Sequence, residues 1–293
     1  MVSPARRRDA VVFLQRRHRI SQRRACSLVG QHRSTQRYAG VPGDFELRLV
    51  KAMNQLAERN PRYGYRRVHA LLVADGWAVN RKRVERLWRL EGHRVPPRRM
   101  KGRGQKAIGS DANAIWNLPA QRPNHVWSYD FMGGRTREGG PLRILNVVDE
   151  YTRECKLAWV ARSIGARDVQ RLLHDVFEQH GRPAILRSDN GREFIAATSQ
   201  AWLAVEGVRP AFIEKGSPQQ NSFVERFNGT MRDECLNGEE FDSITEARVI
   251  IGAWVELYNT ARPHRGLGMK TPAQFAKEAR AIAATNARSK GGT

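Results

Sequence analysis

Apolar residues recur at helical spacing along the front of the chain, and this pattern predicts a series of short helices. The first covers residues 5–17. A second begins at Ser21 and ends at Gly30, and Ser34 can cap a third. Helices joined by a glycine-containing turn are typical of a helix-turn-helix, whose last helix enters the major groove of DNA. We therefore predict a DNA-binding unit over residues 1–40; an ordinary basic three-helix bundle is the alternative.

A second group of helices follows. One covers residues 44–59, another follows Pro61, and the next begins at Asn80, which can act as its N-cap. The last of these helices has apolar residues on one side and mostly basic residues on the other. This pattern predicts a second helix-turn-helix-like unit over residues 44–94. The basic side chains expected to contact DNA from this unit are Arg66, Arg67, Arg81, Lys82, Arg83 and Arg86.

From Val126 the spacing changes to the pattern expected of β-strands. Three runs predict an antiparallel meander, after which helical and strand patterns alternate. This order predicts an α/β core with a mixed sheet covered by helices, as in an RNase H-like fold, after an all-α helix-turn-helix region. We assign the core, with a C-terminal helical extension, to residues 121–280 and a tail to residues 281–293. The predicted strands are residues 125–134, 142–150, 153–161, 183–189 and 208–214, and the predicted helices are residues 166–180 and 198–206.

The stretch after the last strand predicts a helix with Ser217 as its N-cap and Pro218 in its first turn. At about 100° per residue, four apolar side chains fall on one stripe that can face a core. Glu225 lies on the other side, where a glutamate taken alone would be a solvated helix acid. The apolar stripe consists of Phe223, Val224, Phe227 and Met231.

Charge is distributed unevenly along the chain. The 293 residues carry a formal net charge of +22. Residues 1–110 hold 27 Lys and Arg against 7 Asp and Glu, and the remainder holds 24 against 22. A basic front half joined to a nearly neutral core indicates a polyanionic partner, for which double-stranded DNA is a better candidate than an anionic membrane surface. Residues 95–120 combine Pro, Gly and basic residues and predict an extended basic linker.

The cysteine and apolar patterns exclude other classes. The 3 cysteines are far apart and form no CxxC pair, which argues against a structural zinc site and fits reduced thiols. No apolar run approaches the roughly 18 residues of a membrane span, and the N-terminus lacks the apolar run of a signal peptide. We therefore expect a cytoplasmic protein with no membrane partner.

Three acids suggest chemistry on phosphodiesters. Asp130 ends an apolar-rich strand, Asp189 ends another at Asp-Asn-Gly, and Glu225 lies on a helix. Two divalent ions about 4 Å apart can clamp the attacking and leaving oxygens of a phosphodiester, and carboxylates from separate elements can hold them. Each acid also has an ordinary interpretation: a satisfied carboxylate on a sheet, a common turn and a solvated helix acid.

The motifs WSYDF, NVVDEYTRE, RSDNGREF, GSPQQNSFVERFNGTMRDE and YNTARPHRGLGMKTP resemble the integrase-core region of insertion-sequence transposases of the IS-three family, in particular the OrfB-type product. The resemblance covers essentially the whole chain and extends more distantly to retroviral integrases. It implies an RNase H-like fold and a catalytic Asp, Asp, Glu triad at Asp130, Asp189 and Glu225. Arg192 stands where relatives often have Pro. The resemblance gives Asp149 and Glu150 no metal-binding role, and we interpret both as structural.

The resemblance implies a DNA transposase that moves an insertion sequence. Water or a DNA 3′-hydroxyl attacks a phosphodiester at the end of the element, and a freed 3′-hydroxyl then attacks target DNA. Asp130, Asp189 and Glu225 would hold two Mg²⁺ ions, for which Mn²⁺ is expected to substitute. The alternatives are a sequence-specific DNA-binding regulator of transposition without catalysis and a nuclease that only hydrolyses DNA.

Further residues near Glu225 in sequence, or on its side of the helix, are candidates to position DNA. The YNTARPHRGL segment adds two more candidates, but a capping loop after the helix around Trp254 and Tyr258 is an equal alternative for that segment. The candidates are Lys215, Gln219, Gln220, Asn221, Asn228, Arg232, Arg262 and His264.

The expected partners follow from the implied reaction. They are the terminal repeats of the element and the target DNA, together with further copies of the chain, because pairing two ends requires at least a dimer on DNA. Relatives often need an upstream-frame OrfA-type protein or a fusion with it. A nucleoid-associated bacterial protein is the corresponding expectation for location.

Overall fold

The computed structural model of the protein describes residues 4–37, 43–96, 119–189, 197–213 and 221–290. The chain divides into two compact units, Met1–Asn54 and Gln55–Thr293, and each is described by itself. Among the described residues, no helix has both the length and the apolar character that crossing a bilayer requires.

The first unit is helical. Its core is formed by Val11, Ala25 and Cys26, which are almost completely buried. Ser21, the predicted start of the second helix, is its N-cap and accepts a hydrogen bond from the backbone N–H of Arg24. Ser34 lies inside the third helix and not before it. The helices are α1 (Pro4–His18), α2 (Gln22–Val29), α3 (Arg33–Arg37) and α4 (Asp44–Arg59), whose last residues belong to the second unit.

The second unit begins with the end of α4, followed by α5 (Tyr65–Ala74) and α6 (Arg81–Leu90). Asn80 caps α6 by accepting a hydrogen bond from the N–H of Lys82 at 2.8 Å, which confirms the predicted start of that helix. Apolar residues of both helices are buried, so their polar residues form the outer faces. The buried side chains are Val68, Leu72, Val84, Leu87 and Trp88.

A mixed five-stranded sheet forms the centre of this unit, in the order β3-β2-β1-β4-β5. The first three strands are antiparallel, and the last two pair in parallel with β1 and with each other. This is the predicted meander followed by alternating helices and strands. The strands are β1 (Val126–Arg135), β2 (Pro141–Asp149), β3 (Cys155–Ala161), β4 (Ile185–Ser188) and β5 (Arg209–Phe212).

Helices pack against both faces of the sheet. Trp127 and Tyr129 lie in one core with α7 (Ala166–His180) and α8 (Ala197–Val205). Met132 points to the opposite face and packs with α9 (Ser222–Met231) and α10 (Ile244–Thr260). Alternation along β1 separates these two sets, because successive side chains of a strand point to opposite faces. The RNase H-like arrangement predicted from the sequence is confirmed.

α9 ends in a single π-helical turn, Arg232–Leu236, and α11 (Pro272–Lys290) is the last helix. Of the predicted apolar stripe on α9, Val224, Phe227 and Met231 are buried in the core. Phe223 is only partly buried. Ser217 and Pro218, the predicted start of this helix, lie outside the described residues, and so does Arg192.

Candidate active site

Asp130 lies on β1, on the sheet face that α9 covers, and its side chain is half-buried. Asn228 of α9 donates a hydrogen bond from Nδ2 to Asp130 Oδ2 at 2.9 Å. The backbone N–H of Phe131 donates to Oδ1 at 2.8 Å. Both oxygens of the carboxylate are therefore held, and its orientation is fixed by two elements.

Asn146 of β2 holds the side chain of Asn228 in place. Asn146 faces Asp130 across the β1–β2 ladder, and its Nδ2 donates to Asn228 Oδ1 at 2.7 Å. Both asparagines are buried. A buried amide that is hydrogen-bonded on both sides has little freedom to rotate. This chain of hydrogen bonds links Asp130 to the interior between the sheet and α9.

Asp189 follows β4 directly. Ser128 of β1 pairs with Arg187 of β4 in the parallel ladder, and Asp130 and Asp189 each lie two residues further along the chain. Because side chains two residues apart point to the same face, Asp130 and Asp189 are expected on one face at the same level of the sheet. Neighbouring strands are about 4.8 Å apart, so the two carboxylates are expected to be neighbours, and the charge of Asp189 does act on Asp130.

Glu225 lies one turn before Asn228 on α9 and is exposed. Its charge acts on Asp130. Burial is the main cause that raises the pKa of Asp130, to about 6, and the negative charges of Asp189 and Glu225 raise it further. The hydrogen bonds from Phe131 and Asn228 favour the charged form and oppose this rise. Burial also raises the pKa of Glu225.

This set of groups fits a hard divalent cation in its donor chemistry. Carboxylate oxygens are the ligands that Mg²⁺ prefers, and the negative charges that raise the pKa of Asp130 form a site that a cation would neutralise. Within the described ranges, no three His, Cys, Asp or Glu side chains stand close enough together to hold an ion. Residues 190–196, directly after Asp189, and residues 214–220 lie outside those ranges.

A buried ion pair supports β4 just before Asp189. Arg187 donates from Nη1 to both carboxylate oxygens of Glu150, at 3.0 and 3.1 Å, and Glu150 also accepts from the Ser128 hydroxyl. Both charged side chains are almost completely inaccessible. The pair therefore joins β4 to β1 and to the turn after β2. Asp149 accepts hydrogen bonds from the backbone N–H groups of that turn, which agrees with the structural interpretation of both acids.

Most basic residues predicted to bind DNA from the second helical group lie on the surface. Arg67 differs, because it is partly buried and donates to Glu234 at 3.1 Å. The exposed members are Arg66, Arg81, Lys82, Arg83 and Arg86.

The candidates around Glu225 fall into different environments. Arg232 is exposed, whereas Asn221 and Asn228 are buried. Arg262 is also buried and donates to both oxygens of Glu234 at 2.6 Å. His264 accepts from Arg262 at 3.1 Å. Lys215, Gln219 and Gln220 lie outside the described residues.

Sequence reasoning missed two roles in this region. Asn228 was considered as a DNA contact, and its bond to Asp130 is visible only once β1 and α9 are packed together. Glu234 was not singled out, although it accepts hydrogen bonds from Arg67 and Arg262. The basic residues Arg67 and Arg262 each indicate an acidic partner, but the sequence does not show that the partner is Glu234.

The sheet order, the helices on both faces and the helical units ahead of them define an integrase-core protein with an attached helix-turn-helix-like domain. Family models agree with this assignment. Two models described as Integrase core domain match residues 120–218 and 206–272, and one described as HTH-like domain matches residues 44–101.

Curated relatives give the family. The chain is 36% identical over 286 residues to the insertion element IS476 uncharacterized 39.2 kDa protein of Xanthomonas euvesicatoria, covering 98% of this chain and 81% of that protein. It is 39% identical over 264 residues to the insertion element IS407 uncharacterized 31.7 kDa protein of Burkholderia multivorans, covering 90% and 93%. The transposase for insertion sequence element IS904 of Lactococcus lactis is 31% identical over 231 residues, covering 75% and 89%.

The chain therefore belongs to the insertion-sequence transposases of the IS-three family. Solved structures with a similar course of the chain include the integrase catalytic core domain of HTLV-2 in complex with magnesium, with a TM-score of 0.43 and 16% identity over 53% of this chain and 97% of that chain. A simian T-cell lymphotropic virus intasome has a TM-score of 0.47 and 15% identity, covering 76% and 74%.

Proposed function

We propose that the protein is a transposase that cleaves phosphodiesters at the ends of an insertion sequence and joins the freed 3′ ends to target DNA. Asp130, Asp189 and Glu225 are its catalytic residues. The observation that carries this proposal is the electrostatic coupling of Asp130 to both other acids, together with the hydrogen bond from Asn228 that fixes its orientation. A half-buried carboxylate held in one orientation close to like charges lowers stability, and such groups are concentrated at functional sites.

The protein residues have separable tasks in this reaction. Asp130 and Asp189 would hold two Mg²⁺ ions, with Glu225 completing the donor set, and Mn²⁺ has the same oxygen preference. When bound, the ions neutralise charge on the reacting phosphate and lower the pKa of an attacking hydroxyl. Asn228 keeps Asp130 Oδ2 in place, and Glu150 with Arg187 hold the strand that leads to Asp189. Glu225, which is exposed, can orient the attacking oxygen from the solvent side.

The partners follow from the same reaction. The substrates are double-stranded terminal repeats and target DNA, and the helix-turn-helix-like helices with their exposed basic residues bind the repeats. Joining two ends at one place requires at least two copies of the chain on DNA. Action on chromosomal DNA implies a cytoplasmic, nucleoid-associated protein. Partnership with an upstream-frame OrfA-type protein stays a prediction from the resemblance.

A joining assay with a labelled duplex that carries the element end tests the proposal. With Mg²⁺, the wild type is expected to join 3′ ends to DNA, and Asp189→Asn is expected to bind the same duplex equally well and join none. Asp175→Asn, on the exposed side of α7, is the matched control and should join at the wild-type rate. Near-wild-type joining by Asp189→Asn would contradict the triad. Nicking without joining by the wild type would indicate a nuclease.

A further inference from the structure

A cavity of about 660 Å³ lies beside α9, between that helix, the end of α10 and the segment Arg262–Leu267. Phe223, Phe227 and Thr230 of α9 line it. At about 100° per residue, these positions are turned well away from Glu225. The cavity is therefore on a different side of α9 from the candidate active site.

Basic side chains dominate the wall of this cavity, which we call the arginine pocket. Glu234 accepts hydrogen bonds from two of its arginines and balances part of their charge. For Arg153, Arg226 and Arg265, the described part of the chain provides no hydrogen bond or ion pair with an acid. The arginines of the pocket are Arg67, Arg153, Arg226, Arg262 and Arg265.

Arg153 is held in an unusual way. Its backbone is left-handed, with φ of 63°, a conformation uncommon for a residue other than glycine. Its guanidinium lies over the ring of Phe223 at 3.8 Å, and its Nη1 is buried without a hydrogen-bond partner among the described residues. A buried N–H without an acceptor is unfavourable, and the guanidinium keeps its positive charge at the wall of the pocket.

The volume of the pocket and the side chains that line it limit which anion can bind there. Volumes of roughly 300–1,000 Å³ are typical of sites for small molecules, and a double helix about 20 Å wide is far too large to enter. Guanidinium groups match phosphate oxygens in geometry. Unpaired bases stack on aromatic rings and on guanidinium planes. Phe223 and Arg153, which are stacked on each other, both line the pocket.

We propose that the arginine pocket binds an unpaired nucleotide at the end of a DNA strand, with its phosphate on Arg226 and Arg265 and its base against Arg153 and Phe223. The inference rests on the proposed function only in taking DNA as the source of the nucleotide. It adds a second place on the core that holds substrate, away from the acids. A strand end held there would stay bound to the core during joining.

Photocrosslinking tests where the nucleotide lies. The full chain carrying Asp189→Asn is mixed in EDTA with a single-stranded pentanucleotide whose terminal base is 5-iodouracil, irradiated and analysed by mass spectrometry. The expected crosslink is to Phe223 or Tyr258, which both line the pocket. Crosslinks only in residues 1–96 would overturn the proposal.

Affinity tests the charges. In the same background, the double variant Arg226→Gln with Arg265→Gln should bind the fluorescent pentanucleotide about 10-fold more weakly. Its salt dependence should fall by about 1.4 in the slope of log K against log salt, because each lost phosphate contact on a single strand removes about 0.7. The charge-matched control, Arg171→Gln with Arg182→Gln on exposed positions, should change affinity less than 2-fold. Equal weakening by both doubles would overturn the proposal.

Competition separates a nucleotide site from a general anion site. A mononucleotide with a 5′-phosphate should suppress the crosslink at a lower concentration than inorganic phosphate, because only the nucleotide supplies a base to stack. Equal suppression by both would overturn the assignment of a base to Arg153 and Phe223. None of these measurements requires joining, so a crosslink in the pocket together with failed joining by the wild type would reject the proposed function alone.

Discussion

Asn228 Nδ2 donates to Asp130 Oδ2 at 2.9 Å, and this bond connects the helix that carries Glu225 to the strand that carries Asp130. Because Asn228 also accepts from Asn146 at 2.7 Å, its amide cannot turn away without breaking a second bond. The position of Glu225 relative to Asp130 therefore depends on the uncharged side chain of Asn228. Asn228 is a positioning residue.

Replacement of this amide should slow joining more than it lowers stability. Asn228→Ala removes a hydrogen bond to a charged group, which typically contributes about 1.5–3 kcal/mol, and the joining rate is expected to fall about 10- to 100-fold. The pKa of Asp130 should rise further, so the pH at which joining reaches half its maximum should move upward. Single-turnover joining rates between pH 5.5 and 8.5 measure both effects.

Two variants serve as controls for this prediction. Asn237→Ala, at an exposed position after the π-helical turn, should leave the rate unchanged. Asn228→Asp keeps the shape but places a further negative charge beside Asp130, and it should be less active than the alanine variant. An unchanged pH profile in Asn228→Ala would show that the asparagine acts only on folding.

Most of the fold could be predicted because it depends on local patterns. Residue type and the apolar spacing that follows predict Asn80 as an N-cap and Ser21 as the start of a helix, and both residues are N-caps in the structure. The alternation along β1 places Trp127 and Tyr129 on one face of the sheet and Met132 on the other, and these residues lie in different cores. Such features depend on residues that are near one another in sequence, so they can be predicted from the amino-acid sequence alone.

The contacts that build the site could not be predicted in the same way. The sequence is compatible with Arg262 as a DNA contact or as part of a capping loop, and the structure pairs it with Glu234. Arg187 was not considered, although its ion pair with Glu150 supports the strand before Asp189. Both pairs join residues 28 or more positions apart, and the choice of partner depends on how the elements pack.

Removal of the charge at Asp130 should stabilise the metal-free protein. The folded pKa of Asp130, about 6, lies above its ordinary value of 3.8, so the folded state binds the proton more tightly than the unfolded state. Its contribution is favourable below pH 3.8 and is lost as pH rises through about 6. At pH 7.5 in EDTA, the unfolding free energy of Asp130→Asn should therefore exceed that of the wild type by about 1–2 kcal/mol after allowance for partial exposure. The variant should also unfold at a higher temperature.

The pH dependence of that difference provides the check. At pH 5 the advantage of Asp130→Asn should become smaller, because the wild-type carboxyl is then largely protonated. Thermal unfolding in EDTA at both pH values measures it. Asp175→Asn, on the exposed surface of α7, should show no such pattern. A variant that is less stable than the wild type at pH 7.5 would refute the prediction.

The Glu150–Arg187 pair should be important for stability and for joining. Both side chains are almost fully buried, so removing one partner leaves an uncompensated charge or donor and costs about 3–5 kcal/mol. Glu150→Gln and Arg187→Met should each lower the unfolding temperature by roughly 6–20 °C. The double variant should lose less than the sum of the single losses, because no unpaired charge remains. Additive losses would exclude a direct coupling of the two residues.

The basic side of α6 should bind duplex DNA through phosphates. Arg81 and Lys82 are exposed in the first turn of the helix. Arg81→Gln and Lys82→Gln should each weaken duplex binding by the full chain and reduce the salt slope by about 0.9. Arg89→Gln is the matched control, since Arg89 is paired with Glu85 on the same helix at 2.7 Å. Fluorescence anisotropy from 50 to 200 mM salt measures the slopes, and an affinity that does not depend on salt would contradict the electrostatic account.

His264 should make the protein less stable in mild acid. Arg262 donates to its Nε2 at 3.1 Å, so the imidazole must be neutral with its proton on Nδ1. Burial, followed by the positive charges of Arg262, Arg67 and Arg153, lowers its pKa to about 3. Between pH 6.5 and 3 the unfolded state binds more protons than the folded state, so this contribution is full above pH 6.5 and is lost as pH falls.

His264→Gln keeps a hydrogen-bond acceptor for Arg262 but cannot bind a proton in this range. Relative to this variant, the wild type should lose about 1.4 kcal/mol of unfolding free energy between pH 7.5 and 5.5, because one pH unit below the unfolded pKa corresponds to that amount. Thermal or urea unfolding at the two pH values measures the change. His32→Gln, at an exposed position in the first unit, should follow the wild type. If His264→Gln and the wild type lost stability in parallel, the buried neutral imidazole would not be the cause.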